Sequence, residues 1–343
     1  MPPESTEHYK NSNYLRCAEL DCWGEEGMSL EERHQREADF ALKSSGLDIA
    51  KDDAILDLAS GSGGHARRMA TVTEANITAR DISKALIDVA QQKELTENLV
   101  DPTRKAIDHA LGDMTDIRKL SLPEEKKYKL ITILGSSFIF LHTREKYIQT
   151  LRELRSLLED GGKIVIQFRV YKPECIDQLP RDKKRHISSI AKAPRQTNPV
   201  EIDENWAFHD KTKGDSFSYR FDTNPEVYDP SLTIVKDENG HVMDILNTEK
   251  KSLVVQRGVN GNVMSYRAPD GIMHMSFDRD YTDPSGKTES LGVNTFDVFN
   301  NSKTDLDLLG SFLSEAGFQN VQLKSEILSP EKNVYQVSIV GEK

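Results

Sequence analysis

Residues 55–64, Ile-Leu-Asp-Leu-Ala-Ser-Gly-Ser-Gly-Gly, constrain the fold of this chain more than any other segment. A short apolar strand carrying Asp57 at its end breaks at once into glycines, and a helical segment starts near His65. Gly61 and Gly63 let the backbone turn sharply and approach a ligand with no Cβ in the way. The helix that follows points its free N–H groups at whatever lies over the turn. Strand–glycine–helix turns of this kind sit at the carboxyl edge of a parallel sheet, where nucleotide-bearing ligands collect. The segment therefore predicts a doubly wound α/β fold. Gly61-Ser62-Gly63-Gly64-His65-Ala66 also satisfies the G-x-G-x-x-A pattern of dinucleotide-binding domains, so the loop alone leaves the ligand open.

Three acids at successive strand ends narrow it. Asp57 stands four positions before Gly61, within reach of a cationic or hydroxyl-bearing part of a ligand. A second apolar strand from Asn76 to Ala79 leads to Asp81, twenty residues beyond Gly61. That distance suits an acid accepting from two ribose hydroxyls, and such an acid would repel a 2′-phosphate. A third strand, His109 to Leu111, runs into Gly112-Asp113-Met114, where a carboxylate beside an apolar side chain suits an adenine amino group and its ring. Three acids match a ligand with a cationic centre and no phosphates, which describes S-adenosylmethionine better than NAD.

Asp57-Leu-Ala-Ser-Gly-Ser-Gly resembles the first motif of class I S-adenosylmethionine-dependent methyltransferases, with Ala59 where many members have glycine. Ala79-Arg-Asp81-Ile82-Ser83 resembles the second motif and Gly112-Asp113-Met114 the third. Lys129–Leu134 reads as the fourth strand, Leu151–Leu158 as a helix, and Asp160–Ile166 as a turn and fifth strand. Leu308–Phe318 with Val321 resembles the family's last helix and sixth strand, and Val334–Val340 its antiparallel final strand. The resemblance implies a Rossmann-like sheet of seven strands, with the last antiparallel. It also implies a cofactor set of Asp57, Ala59, Gly61, Gly63, Arg67, Asp81, Ile82, Asp113, Met114, Leu134 and Gly135. The product would be S-adenosylhomocysteine and no metal would be required.

Within the family, the local match is to glycine N-methyltransferase and related glycine/sarcosine enzymes. It is carried by Ala59, by Leu134-Gly-Ser-Ser-Phe138 and by Arg169-Val-Tyr171. Trp23-Gly24-Glu25-Glu26 is similar to a segment of several small-molecule methyltransferases. The resemblance implies a small-molecule acceptor, an amino acid or related amine, held by Trp23, Ser136, Ser137, Arg169 and Tyr171. Arg169 is suited to a carboxylate, since a guanidinium fork binds one through two parallel bonds. His142, after the fourth strand, and Tyr14 are the candidate catalytic residues. Ser136 stands where the glycine enzymes have Asn, and Phe140 where they have His.

Residues 1–45 read as an N-terminal cap with Tyr14 and Trp23 as pocket walls, and Leu30–Leu42 as a helix ending at Ser44-Ser45-Gly46. Alternating strand and helix signals over 46–170 mark the α/β core. From 171 to 300 the pattern becomes a β-rich insertion, a lid or an oligomer interface. Strands are expected at 216–221, 232–235, 252–256, 263–266, 272–281 and 293–299. Asn239-Gly240, Asn260-Gly261 and Asp270-Gly271 are hairpin turn signals. Residues 301–343 complete the core sheet.

A net charge of −11 disfavours a nucleic-acid partner, which calls for a basic face. The basic run 181–186 reads as a phosphate- or RNA-binding patch or as a solvated helix face or linker. No apolar run approaches the ~20 residues that cross a bilayer, so no membrane partner is expected. Three cysteines and an N-terminus without signal-peptide character predict a cytoplasmic protein. Cys17 and Cys22 lack a second pair at zinc spacing. Other readings compete: O-methylation of a natural product, methylation of a macromolecule, an NAD-dependent oxidoreductase using the same glycine loop, and a non-catalytic cofactor-binding or scaffold protein.

Overall fold

The computed structural model describes residues 29–100, 105–123, 125–171, 206–210, 215–220, 232–236, 238, 242–247, 254–257, 263–267, 273–283, 285–297, 303–329 and 334–343. Tyr14, Trp23, the cysteine pair and the basic run fall outside these residues, as do the side chains of Arg169 and Tyr171.

Helix α1 (Leu30–Ser45) begins with a capping box. The Ser29 hydroxyl accepts from the Glu32 N–H at 3.2 Å, and the Glu32 carboxylate accepts from the Ser29 N–H at 2.8 Å. These bonds satisfy donors that a helix start leaves open. The helix ends where sequence predicts, at Gly46 in the left-handed region (φ 60°).

Strands β1 (Ala54–Leu58), β2 (Asn76–Asp81), β3 (Asp108–Leu111), β4 (Tyr128–Ile133) and β5 (Leu158–Tyr171) run parallel. Helices α2 (Gly64–Thr73), α3 (Lys84–Val100) and α4 (Arg144–Leu157) link them. After α5 (Lys303–Glu315), β14 (Gln319–Ser329) and β15 (Val334–Glu342) complete a seven-stranded sheet ordered 14-15-5-4-1-2-3. Strand β15 is antiparallel to both neighbours. The seven strands and the antiparallel last strand match expectation.

Period-two alternation sorts the strand residues between two apolar layers. Leu56, Leu58, Ile131, Ile133, Ile164 and Ile166 pack with Tyr147, Leu151 and Leu154 of α4 and with Leu309, Phe312 and Leu313 of α5. Ile55, Leu130 and Val165 face the other way, under Ala38 and Ala41 of α1 and Ala66 and Met69 of α2. Each such buried Leu or Ile contributes roughly 1.5–3 kcal/mol. Asp57, Thr132 and Gln167 share the parity of that second face, so buried polar chemistry collects beneath α1 and α2.

Between β5 and α5 lie β6 (Trp206–Asp210), β7 (Asp215–Arg220), β8 (Leu232–Lys236), β9 (Val242–Asn247), β10 (Val254–Arg257), β11 (Val263–Arg267), β12 (Met273–Thr282) and β13 (Thr288–Asp297). Six form an antiparallel sheet, and β8 and β9 form a ribbon. All three Asn-Gly and Asp-Gly signals fall between strands that pair antiparallel. Strands β6 and β9 were not expected: Val242-Met243-Asp244-Ile245-Leu246 places its apolar residues in adjacent pairs, which hides a period of two. Among the described residues no helix is long and apolar enough to cross a membrane.

Candidate active site

The turn from β1 into α2 adopts the left-handed region at Ala59 (φ 52°), Gly61 (φ 55°) and Gly63 (φ 77°). Glycine takes this conformation freely, whereas an L-residue there costs roughly 1–2 kcal/mol. Ala59 therefore carries the strain that a glycine would not. A Cβ on Gly63 would also lie 2.8 Å from His109 Cε1 and 3.1 Å from Ala90 Cβ. The loop is fixed from several sides. The Gly61 N–H donates to Asp81 Oδ2 at 2.8 Å, and the Ser60 N–H to the Arg80 carbonyl at 3.0 Å. Buried Arg67 reaches back from α2, its Nη1 donating to the Ser62 carbonyl at 2.8 Å. Of the expected cofactor residues, Arg67 thus acts on the loop's own main chain.

Asp81 is buried, and its second oxygen accepts from the Ser83 N–H at 2.8 Å. Burial pushes its carboxyl above the usual range, while the N–H groups of Ser83, Gly61 and Ile82 oppose that rise. Asp57 is buried more completely. Its Oδ1 accepts from the Thr132 hydroxyl at 2.7 Å, while Oδ2 has no hydrogen-bond partner. Burial pushes this carboxyl up to about 6, against the attraction of His65. A buried acceptor without a partner costs about 1–3 kcal/mol, which a cationic ligand group beside it would offset. Asp113, at the end of β3, turns Oδ1 to the Thr115 N–H (2.9 Å) and hydroxyl (2.7 Å), and Met114 packs partly buried against the core. The structure thus brings Asp57, Asp81 and the glycine loop together and sets Asp113 one strand further along the same edge.

The loop after β4 has a left-handed pair, Gly135 (φ 61°) and Ser136 (φ 63°), with Leu134 buried beneath. The Ser136 N–H donates to the Gln167 carbonyl at 3.2 Å, drawing this loop towards β5. Ser137 opens the short 3-10 turn Ser137–Phe140. His142 follows that turn, buried and left-handed (φ 64°).

One buried network escaped sequence reasoning. His65, in the first turn of α2, meets Glu37 of α1 at 2.7 Å, and His34 packs edge-on to His65 with ring centroids 4.4 Å apart. Burial, followed by the charge of His65, pushes His34 down to about 2, so it is neutral. Gln167 Nε2 donates to the Glu37 carbonyl at 2.8 Å. The one local signal was His65 directly after the glycines. Its partners lie far away in sequence.

Residues 55–162 match the family model of a methyltransferase domain. That segment, from β1 to the start of β5, is thus similar to a methyltransferase domain. Solved structures similar to the whole chain include the CcbJ methyltransferase of Streptomyces caelestis, with 14% identity, 98% of each chain covered and a TM-score of 0.52. An S-adenosylmethionine-dependent methyltransferase of Clostridium acetobutylicum gives 12% identity, 96% of each chain and a TM-score of 0.50. At these identities the likeness is one of fold. No curated protein matches the sequence at a significant level.

The residues at this strand edge fit S-adenosylmethionine on their own chemistry. The left-handed glycine turn and the unpartnered Asp57 Oδ2 suit a ligand with a cationic end. Among the described residues no group of three or more His, Cys, Asp or Glu is arranged to hold a metal ion.

Proposed function

We propose that this methyltransferase modifies a small molecule at nitrogen, with an amino acid or related amine as acceptor. The observation that carries this reading is the reach of β5. Ile166 pairs with Ile133, the last residue of β4, so Arg169 lies three residues past that edge, two beyond the Gln167 carbonyl that takes the Ser136 N–H. A guanidinium at that position would hold an acceptor carboxylate beside the Ser136–Ser137 loop.

The bound cofactor supplies a methyl group already activated by a sulfonium. The chain's task is to orient, to exclude water and to keep the acceptor nitrogen unprotonated. In this reading Asp57 balances the cationic end, Asp81 accepts from the ribose hydroxyls, and Asp113 with Met114 takes the base. Ile82, Leu134 and Gly135 wall the cofactor, while Trp23, Ser137 and Tyr171 line the acceptor side. His142 and Tyr14 are the candidates for receiving the amine proton.

Arg169→Lys keeps the charge but loses the planar fork. The acceptor KM should rise about tenfold, the equivalent of about 1.4 kcal/mol, with cofactor affinity unchanged. An unaltered acceptor KM would assign Arg169 a structural role. Ser136 and Phe140 depart from the glycine enzymes, which favours an acceptor other than glycine. O-methylation of a natural product is the second reading, and it would leave Arg169→Lys without effect.

We assign residues 171–300 the role of a lid or subunit interface, the latter giving a homo-oligomer. In support, β13 lies against the 137–140 turn that follows β4. Replacing the segment by a short linker should abolish turnover yet preserve binding of S-adenosylhomocysteine. A folded core that no longer binds it would contradict the assignment.

A further inference from the structure

Arg80, next to Asp81 on β2, is 2% exposed. A guanidinium carries five N–H donors and keeps its charge, so burying one is costly unless its donors are met. Here each donor is met. Nε donates to the Leu120 carbonyl (2.6 Å), and Nη1 to the carbonyls of Ala79 (2.9 Å) and Asp108 (2.6 Å). Nη2 donates to the Asp108 carboxylate (2.8 Å) and the Ser121 carbonyl (3.1 Å). Four of these five bonds go to residues 108, 120 and 121, on either side of Gly112-Asp113-Met114. The main chain here adds two more ties. The Arg80 carbonyl accepts from Ser60 in the glycine loop, and the Asp81 carbonyl accepts from the Gly112 N–H at 2.9 Å. The loop also lies directly on the arginine stem, since a Cβ on Gly112 would sit 3.1 Å from Arg80 Cδ and 3.2 Å from Leu120 Cα.

We propose that Arg80 is a positioning residue that sets the site's selectivity for adenine. It acts by clamping the segment 108–121 at both ends, so that the Asp113 carboxylate is held at a fixed height above the β2–β3 edge. Asp113 is itself locked to that segment through Thr115, so the carboxylate moves as the loop moves. Arg80 thus ties β2 to both ends of this segment. The inference rests on the reading of Asp113 as the partner of the adenine amino group.

The test compares binding of S-adenosylhomocysteine with that of S-inosylhomocysteine, which presents a carbonyl where adenine has its amino group. Calorimetry on the full chain should give a clear preference for the adenine compound. Arg80→Lys cannot span the same acceptors with its three donors. In that variant the preference should fall about tenfold, the size of one charge-assisted hydrogen bond. The KM for S-adenosylmethionine should rise while kcat changes little. Gly112→Ala, which wedges the loop off the stem while keeping Arg80, should shift the ratio the same way, and it decides the matter if Arg80→Lys does not fold. A merely structural Arg80 would weaken both ligands equally and leave the ratio intact, which overturns the proposal. A wild-type protein that binds both ligands equally removes the adenine role of Asp113, and the proposal with it. Failure to bind either compound refutes instead the cofactor reading on which the proposal rests.

Discussion

Asp81→Ala is expected to weaken binding of S-adenosylhomocysteine by about tenfold to a hundredfold. Two losses act together. A hydrogen bond to a charged acceptor contributes about 1.5–3 kcal/mol, and 1.4 kcal/mol is a factor of ten. The same carboxylate also accepts from Gly61 and Ser83, so its removal frees the glycine loop that cradles the ligand. Asp81→Asn keeps one acceptor oxygen and should fall between wild type and alanine. A pH series adds a second readout. Asp81 and Asp57 both have carboxyls raised by burial, Asp57 to about 6. Without ligand, a raised carboxyl contributes stability that is present below its ordinary value and is lost as pH rises through the raised one. The ligand prefers the ionised form, so the stabilisation it confers should grow from pH 5 to pH 7 in wild type. That growth should be smaller in Asp81→Asn. Calorimetric titration and thermal unfolding check both, and an alanine variant with wild-type affinity would remove Asp81 from the site.

Gly63→Ala and Ala59→Gly should shift stability in opposite directions, although they lie four residues apart in one loop. At Gly63 the left-handed backbone costs a new side chain roughly 1–2 kcal/mol. Crowding against His109 and Ala90 adds roughly 1–3 kcal/mol. The expected loss is about 2–5 kcal/mol, together with measurable cofactor binding. At Ala59 the strain is already present, and glycine relieves it while giving back roughly 0.5–1 kcal/mol to the entropy of the unfolded chain. Ala59→Gly should therefore stabilise by up to about 1.5 kcal/mol. Urea unfolding of both variants tests the pair. A Gly63→Ala protein as stable as wild type would show that the loop relaxes without cost.

The features legible in the sequence were those with local signals. Glycines at 61 and 63 announced their left-handed backbone, and Gly46 announced the end of α1. Acids after apolar runs marked the strand ends at Asp81 and Asp113. What stayed hidden depends on pairing across the sheet. Thr132 reads as one polar residue inside an apolar strand until β4 is laid beside β1, 75 residues away, where its hydroxyl meets Asp57. Arg80 reads as a surface residue of β2, because its acceptors lie 28 to 41 residues later, apart from the neighbouring Ala79 carbonyl. Glu37 and His65 belong to different helices, and only the packing of α1 on α2 makes them partners.

The 57–63 loop, with Asp57, Asp81 and Asp113, should hold S-adenosylmethionine rather than a dinucleotide. Titrating the full-length protein with S-adenosylhomocysteine and NAD, side by side in one calorimeter, tests it most directly. S-adenosylhomocysteine should bind saturably, Asp81→Ala should weaken that binding, and NAD should give no heat. Saturable binding of NAD, with S-adenosylhomocysteine silent, would contradict it.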